Sequence, residues 1–215
     1  MASFEEVLSR RRSIQSYKDI PVEKEKWGRM LIAAGMAPSA GNLQNWRFIV
    51  VRDRAKIQKI SEICYQQTWM NNAPMLVVVC GDVEQTRKFY GERGVHLYAI
   101  QNVAAATMCM MLAAEDMGLG TCWVGAFDEH ALHHLFMFPK WLRPMAIVTV
   151  GYPNEEKPTP VRLPLHRVAF FEKYGGSGRI EDINVSFGNI SLVVKKRVTQ
   201  VQNLLQDIFN KVFGK

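Results

Sequence analysis

The chain has 215 residues, 48% hydrophobic and 22% charged, enough to bury a core in one domain or in one domain with an appendage. These proportions exclude a disordered chain, a collagen-like repeat and a coiled-coil rod. The net charge of +7 is uneven: from Asn189 onward Lys195, Lys196, Arg197, Lys211 and Lys215 face only Asp207, so this tail carries +4. That leaves +3 on the other 188 residues, which does not make the main body a nucleic-acid binder.

Ser3 followed by Glu6 fits a capping box, and Phe4, Val7 and Leu8 give the first helix an apolar stripe. That helix runs into Arg10-Arg11-Arg12-Ser13. A second helix is predicted from about Glu23 to Gly35, with Trp27, Met30, Leu31 and Ala34 inward. Pro38 to Asn42 reads as a loop, Phe48 to Val51 as a short strand, and a helix follows to about Gln67. Met75 to Cys80 is a continuous apolar run, typical of a strand buried on both faces.

Gly94 to Met117 is apolar on most sides and reads as a central buried helix, stopped by Gly118-Leu119-Gly120. Its most apolar part, Val103 to Ala114, is twelve residues long. A bilayer requires about 20. Thr121 to Val124 reads as a strand, Asp128 caps a short helix to Phe136, and Met145 to Val150 is the last core strand. The mixture predicts an α+β or α/β protein with one packed sheet.

Gly175 to Gly178 reads as a hinge. Beyond it Ile190, Val193, Val194, Val198, Val201, Leu204, Leu205, Ile208, Phe209 and Val212 fall on one face of a helix that must dock onto something. The N-terminus has no apolar signal core, so a cytoplasmic protein is expected. Four cysteines without C-x-x-C spacing read as buried reduced thiols.

A search for side-chain catalysts finds none. There is no G-x-S-x-G, no Cys or Ser with a recognisable His partner, no Walker A and no G-x-G-x-x-G. Glu129 to His134 lacks the H-E-x-x-H pattern, so no metal is expected there. Three polar clusters remain. Arg10-Arg11-Arg12-Ser13 can offset a helix dipole, and an arginine fork beside a hydroxyl also suits a phosphate monoester. Pro38 to Phe48 places small residues and amides just before a strand, where a flat ring can approach the backbone. Gly118 to Phe127 offers bare backbone N–H groups beside an aromatic.

In this order the clusters resemble the FMN-dependent nitroreductase superfamily, with its R-R-S-x-R, P-S-x-x-N-x-Q-P-W-x-F and G-L-G-T-x-W-x-G-x-F segments. Gly151-Tyr152-Pro153 and Arg162-Leu163-Pro164-Leu165 match its later motifs, and the likeness spans Phe4 to Tyr174. The resemblance implies an α+β fold with a central mixed or antiparallel sheet flanked by helices, and an intertwined homodimer. Residues 1–175 would form the FMN-binding domain and 176–215 a C-terminal extension carrying the amphipathic helix, which would wrap the partner subunit. Its polar face carries more amides than cations, which favours that dock over a membrane surface.

The same resemblance implies roles. Arg11, Arg12 and Ser13 would hold the FMN phosphate, with Arg162 closing on it. Pro38, Ser39 and Ala40 would pack on the isoalloxazine bound mainly by the other subunit, and Asn42 and Gln44 would sit at the flavin edge or the substrate mouth. Trp123, Val124 and Gly125 would supply a face and the N–H to flavin N5. Two departures stand out: Gln15 replaces the final Arg of the first motif, removing a charge from the flavin's polar side. Asn45 replaces a Pro, so the loop backbone is expected to be less restrained.

The implied activity is hydride transfer from NADH or NADPH through FMN to a small acceptor such as a nitroaromatic or quinone, without a catalytic side chain. Alternatives are another flavin chemistry on the same fold (oxidation, dehalogenation or oxygen-dependent flavin breakdown), or a flavin-fold module attached to a membrane by its tail.

Overall fold

The computed structural model describes residues 3–163 and 167–176. The amphipathic segment beyond the hinge lies outside the described residues. By compactness the chain divides into two units. Among the described residues, one comprises 10–157 and the other comprises 3–9, 158–163 and 167–176.

In the larger unit four antiparallel strands form a sheet in the order β1-β2-β4-β3: β1 (Trp46–Val51), β2 (Met75–Asp82), β3 (Gly120–Val124) and β4 (Leu142–Gly151). Side chains on β2 alternate between two cores. Met75, Val77 and Val79 join Met30 and Ala34 of α2 (Lys24–Gly35) and Val103, Ala106 and Met110 of α5 (Ala99–Asp116). Leu76, Val78 and Cys80 join Ile57 and Ile60 of α3 (Arg54–Ile63) and Leu132 of α6 (Glu129–Phe136). This three-layer arrangement makes β2 an uninterrupted apolar run although the sheet is antiparallel.

The helix starts are chemically set. Ser3 and Glu6 exchange backbone-to-side-chain bonds of 3.2 and 2.7 Å at the head of α1 (Phe4–Arg10). Asp53, Asp82 and Asp128 each accept an N–H from three residues on. Asp82 caps α4 (Val83–Arg93), a helix that the sequence reading does not assign, its central helix starting only at Gly94. The chain continues through a π-turn at Gly94–Tyr98 into α5.

The helical run Val83–Asp116 is therefore 34 residues, long and apolar enough by composition to span a bilayer, rather than a twelve-residue apolar stretch. Gly91 breaks it at φ 57°, ψ −146°, and eight residues of α5 are buried within the protein, as befits a core helix. Cys64 and Cys80 are fully buried, and desolvation pushes both thiols up to about 12.

In the smaller unit α1 begins at its capping box, and Phe170 and Tyr174 lie ring to ring at 4.8 Å. Arg162 is exposed there.

Candidate functional site

The segment after α1 is pulled onto the sheet by its backbone. Ser13 forms a parallel bridge with Thr121 of β3, and the Ile14 N–H donates to the Thr121 carbonyl at 2.9 Å. Gly120 makes the approach feasible, because a Cβ there would stand 2.8 Å from Ile14. The Tyr17 hydroxyl anchors the far end, donating to Ile14 O at 2.6 Å and sharing a hydrogen bond with Thr149. Burial raises the Tyr17 pKa far above its ordinary value, so the anchor stays protonated.

This seam brings the first and third clusters together. Arg11 and Arg12 are half-buried, and Arg12 Nη1 donates to Arg11 O at 2.8 Å. Ser13 is exposed, and its hydroxyl hydrogen-bonds Cys122. Burial raises the Cys122 pKa, with Lys157 and Ser13 acting against it. Further along β3, Trp123 is 38% exposed, Val124 is buried, and Gly125 is exposed with only the Trp123 ring near the position of an added Cβ.

Glu115 at the end of α5 was not singled out by the sequence reading, yet it faces the arginine cluster. Arg10 Nε lies 3.8 Å from its carboxylate. Desolvation raises the Glu115 pKa, and the charges of Arg10, Arg11 and Arg12 oppose that rise. One carboxylate against three guanidiniums leaves the cluster cationic, which suits a further anion.

Gln15 is exposed, and its surroundings are charged. Lys157 Nζ donates to Gln15 Oε1 at 3.1 Å and to Ser13 O at 2.8 Å. Glu155 Oε1 accepts the backbone N–H groups of Gln15 and Ser16 at 2.6 and 3.0 Å and pairs with Lys157 at 3.2 Å. Burial would raise the Glu155 pKa, but the Gln15 N–H and its other donors lower it overall.

The second cluster sits elsewhere on the unit. Pro38, Asn42 and Gln44 are exposed, and Ser39 and Ala40 are half-buried. Gly41, Asn42 and Gln44 all take positive φ, at 55°, 55° and 48°. The Ser39 hydroxyl accepts the Gln44 N–H at 3.0 Å, and Gln44 Nε2 donates to Asn42 Oδ1 at 3.2 Å. Asn45, expected to leave the loop looser, instead ties it down. Its side chain is fully buried, accepts from Asn102 Nδ2 of α5 at 2.8 Å and donates to Asp82 O at 3.4 Å. Asn102 Oδ1 in turn accepts the Ala40 N–H at 2.9 Å.

The register fixes how far apart the clusters lie. Thr121 pairs across β4 with the level of Met75, one residue beyond Val51, whereas Trp46 pairs with Gly81. Strand spacing and rise then separate the Ser13–Thr121 seam from the head of β1 by roughly 14 Å across the sheet and roughly 20 Å along it. One chain therefore joins the first and third clusters at one edge of the sheet and holds the second at the opposite edge.

The donor chemistry fits a flavin mononucleotide. Two guanidiniums and a hydroxyl match a phosphate monoester, and an open glycine backbone beside a half-exposed indole matches a flat heterocycle. Among the described residues, no group of three or more His, Cys, Asp or Glu could hold a metal ion.

The nitroreductase family model matches residues 8–69 and 65–152. The chain belongs to the nitroreductase family. A relative in Bacillus subtilis, named FMN reductase (NAD(P)H), is 31% identical over 180 residues, covering 78% of this chain and 72% of its own. An NADH dehydrogenase of Thermus thermophilus is 31% identical over 189 residues, covering 75% and 92%. The solved structure of an FMN-dependent nitroreductase from Clostridium difficile superposes with a TM-score of 0.67 at 30% identity, covering 78% of this chain and 98% of that one. Nitroreductase membership agrees with the α+β fold, its antiparallel sheet and its flanking helices.

Proposed function

We propose that this chain is an FMN-dependent NAD(P)H oxidoreductase acting on a nitroaromatic, a quinone or a similar small acceptor. The observation that carries the reading is the Ser13–Thr121 seam, which sets the cationic Arg11-Arg12-Ser13 segment beside the strand ending in Trp123, Val124 and Gly125. Bound FMN would supply the redox chemistry, accepting a hydride from NADH or NADPH at N5 and giving it to the acceptor. The protein's part is to bind and orient. Arg11, Arg12 and Ser13 would hold the phosphate, a role the family resemblance extends to Arg162. Trp123 and the backbone at Val124 would back the ring, and the Gly125 N–H would be the donor to N5.

The separation of the clusters supports a homodimer. Pro38, Ser39 and Ala40 precede the sheet edge opposite to their own chain's Trp123–Gly125, so in this reading they would pack on the ring held by the partner, with Asn42 and Gln44 at its edge or at the acceptor's entrance. Ile32 and Met36 beside α2's exposed face and Ile100 on α5 are exposed in the single chain, apolar surface of the kind an interface covers. In this reading residues 1–175 are the FMN domain, and 176–215 are an extension whose apolar stripe docks on the partner.

Purified protein should show flavin absorption, lose it on addition of NADH or NADPH under anaerobic conditions, and release FMN rather than FAD on acid treatment. Colourless protein that also fails to take up added FMN refutes the proposal.

A further inference from the structure

The motif position where the resemblance expects a guanidinium holds an amide, Gln15, and the residues around it show how that amide is controlled. Glutamine carries both an acceptor and a donor, so by itself it could turn either toward a ligand. A lysine ammonium can only donate. Lys157 Nζ lies 3.1 Å from Gln15 Oε1, and this bond occupies the amide's acceptor end. The lysine is itself held by Ser13 O at 2.8 Å and by Glu155 at 3.2 Å. Glu155 also receives the Gln15 and Ser16 N–H groups, so the backbone under the amide is fixed as well. What remains outward on Gln15 is Nε2, a pure donor on an exposed side chain.

We infer that Lys157 is a positioning residue that locks the Gln15 amide as a hydrogen-bond donor toward the flavin's pyrimidine edge, replacing in two side chains what one arginine would supply. This rests on the FMN reading above. The pyrimidine edge, N1 and the C2 carbonyl, gains negative charge when electrons enter the ring, and a fixed donor there stabilises that charge. Glu155 offsets much of the lysine's own charge. The effect is therefore carried by the oriented amide and is lost with either member of the pair.

Sulfite is a direct probe. Its sulfur lone pair forms a bond to flavin N5, and the displaced electron pair settles on N1 and the C2 carbonyl. No proton or external oxidant is needed, and the visible flavin absorption disappears. Sulfite titrations should be run on the FMN-loaded full chain as wild type, Lys157→Met, Lys157→Arg, Gln15→Leu and the Lys157→Met/Gln15→Leu double variant.

Lys157→Met and Gln15→Leu should each weaken sulfite binding about tenfold, and Lys157→Arg should stay within about threefold of wild type. The double variant should match Gln15→Leu, because residues acting as one unit are not additive. The midpoint potential should fall by about 30 mV in each affected variant, the equivalent of tenfold for a two-electron couple. Sulfite affinity within twofold of wild type in Lys157→Met, or additive losses in the double variant, overturns the inference. Should Lys157→Met fail to fold, unchanged sulfite affinity in the solvent-exposed Gln15→Leu overturns it equally. Wild-type protein that binds no FMN overturns the underlying reading instead, and the inference with it.

Discussion

Replacing Asn102 with leucine, a side chain of the same branching and similar size, should unfasten the loop before β1 without emptying the core. Asn102 is 4% exposed and serves two partners at once, the Ala40 N–H at 2.9 Å and Asn45 Oδ1 at 2.8 Å. Leucine satisfies neither. A buried polar group left without a partner costs about 1–3 kcal/mol. Asn45 is fully buried and bears that cost in full, whereas half-buried Ala40 recovers part of its bond from water. The expected loss is about 2–4 kcal/mol, a fall in Tm of about 4–16 °C for a chain of this size. Thermal unfolding followed by far-ultraviolet circular dichroism, at one fixed FMN concentration, measures it, since bound ligand also shifts Tm. A fall below 2 °C would show that the two amides contribute little and that Asn45 finds equal partners elsewhere.

Arg12→Ala and Arg162→Ala should each weaken FMN retention about tenfold to a hundredfold, as expected for a charge-assisted bond of about 1.5–3 kcal/mol. Flavin fluorescence during dialysis reads the loss; wild-type retention in both would refute the phosphate assignment and leave Arg12 as a charge partner of Glu115. Deleting residues 177–215 removes ten periodic apolar side chains worth about 1.5–3 kcal/mol each when buried, before ordering entropy. The truncated protein should aggregate or form a looser dimer that sheds FMN on size-exclusion chromatography, and a well-behaved yellow dimer refutes the docking of the tail.

Local chemistry made much of the fold legible. The Ser3–Glu6 box, the Asp128 cap, the apolar run of β2 and the glycine stop after α5 each act within a few residues, and each is found close to its predicted place. The missing helix, α4, has its Asp82 cap but lacks an apolar pattern behind it. Charged residues surround it and only Val83 and Thr86 are buried, so no apolar stripe marks it. The site was readable as motifs but not as a network. Asn45 and Asn102 are 57 positions apart, and Gln15 and Lys157 are 142 apart. Amide and ammonium side chains at such distances have no periodicity to betray their pairing. Glu115 was hidden differently, as an ordinary acidic end to an apolar helix.

The seam between residues 13–18 and the last strands also sets a timetable. Tyr17 waits for Thr149, 132 residues later, and Gln15 waits for Glu155, 140 residues later. At ordinary rates of synthesis that interval is on the order of ten seconds. For most of it the arginine segment has been made, but β3, the strand it lies on, does not yet have β4 to pair with. A ribosome-bound chain that ends before β4 thus cannot complete this seam, however well its helices have formed. In the proposed FMN reading, coenzyme capture is then a late event, open only after synthesis has passed Glu155.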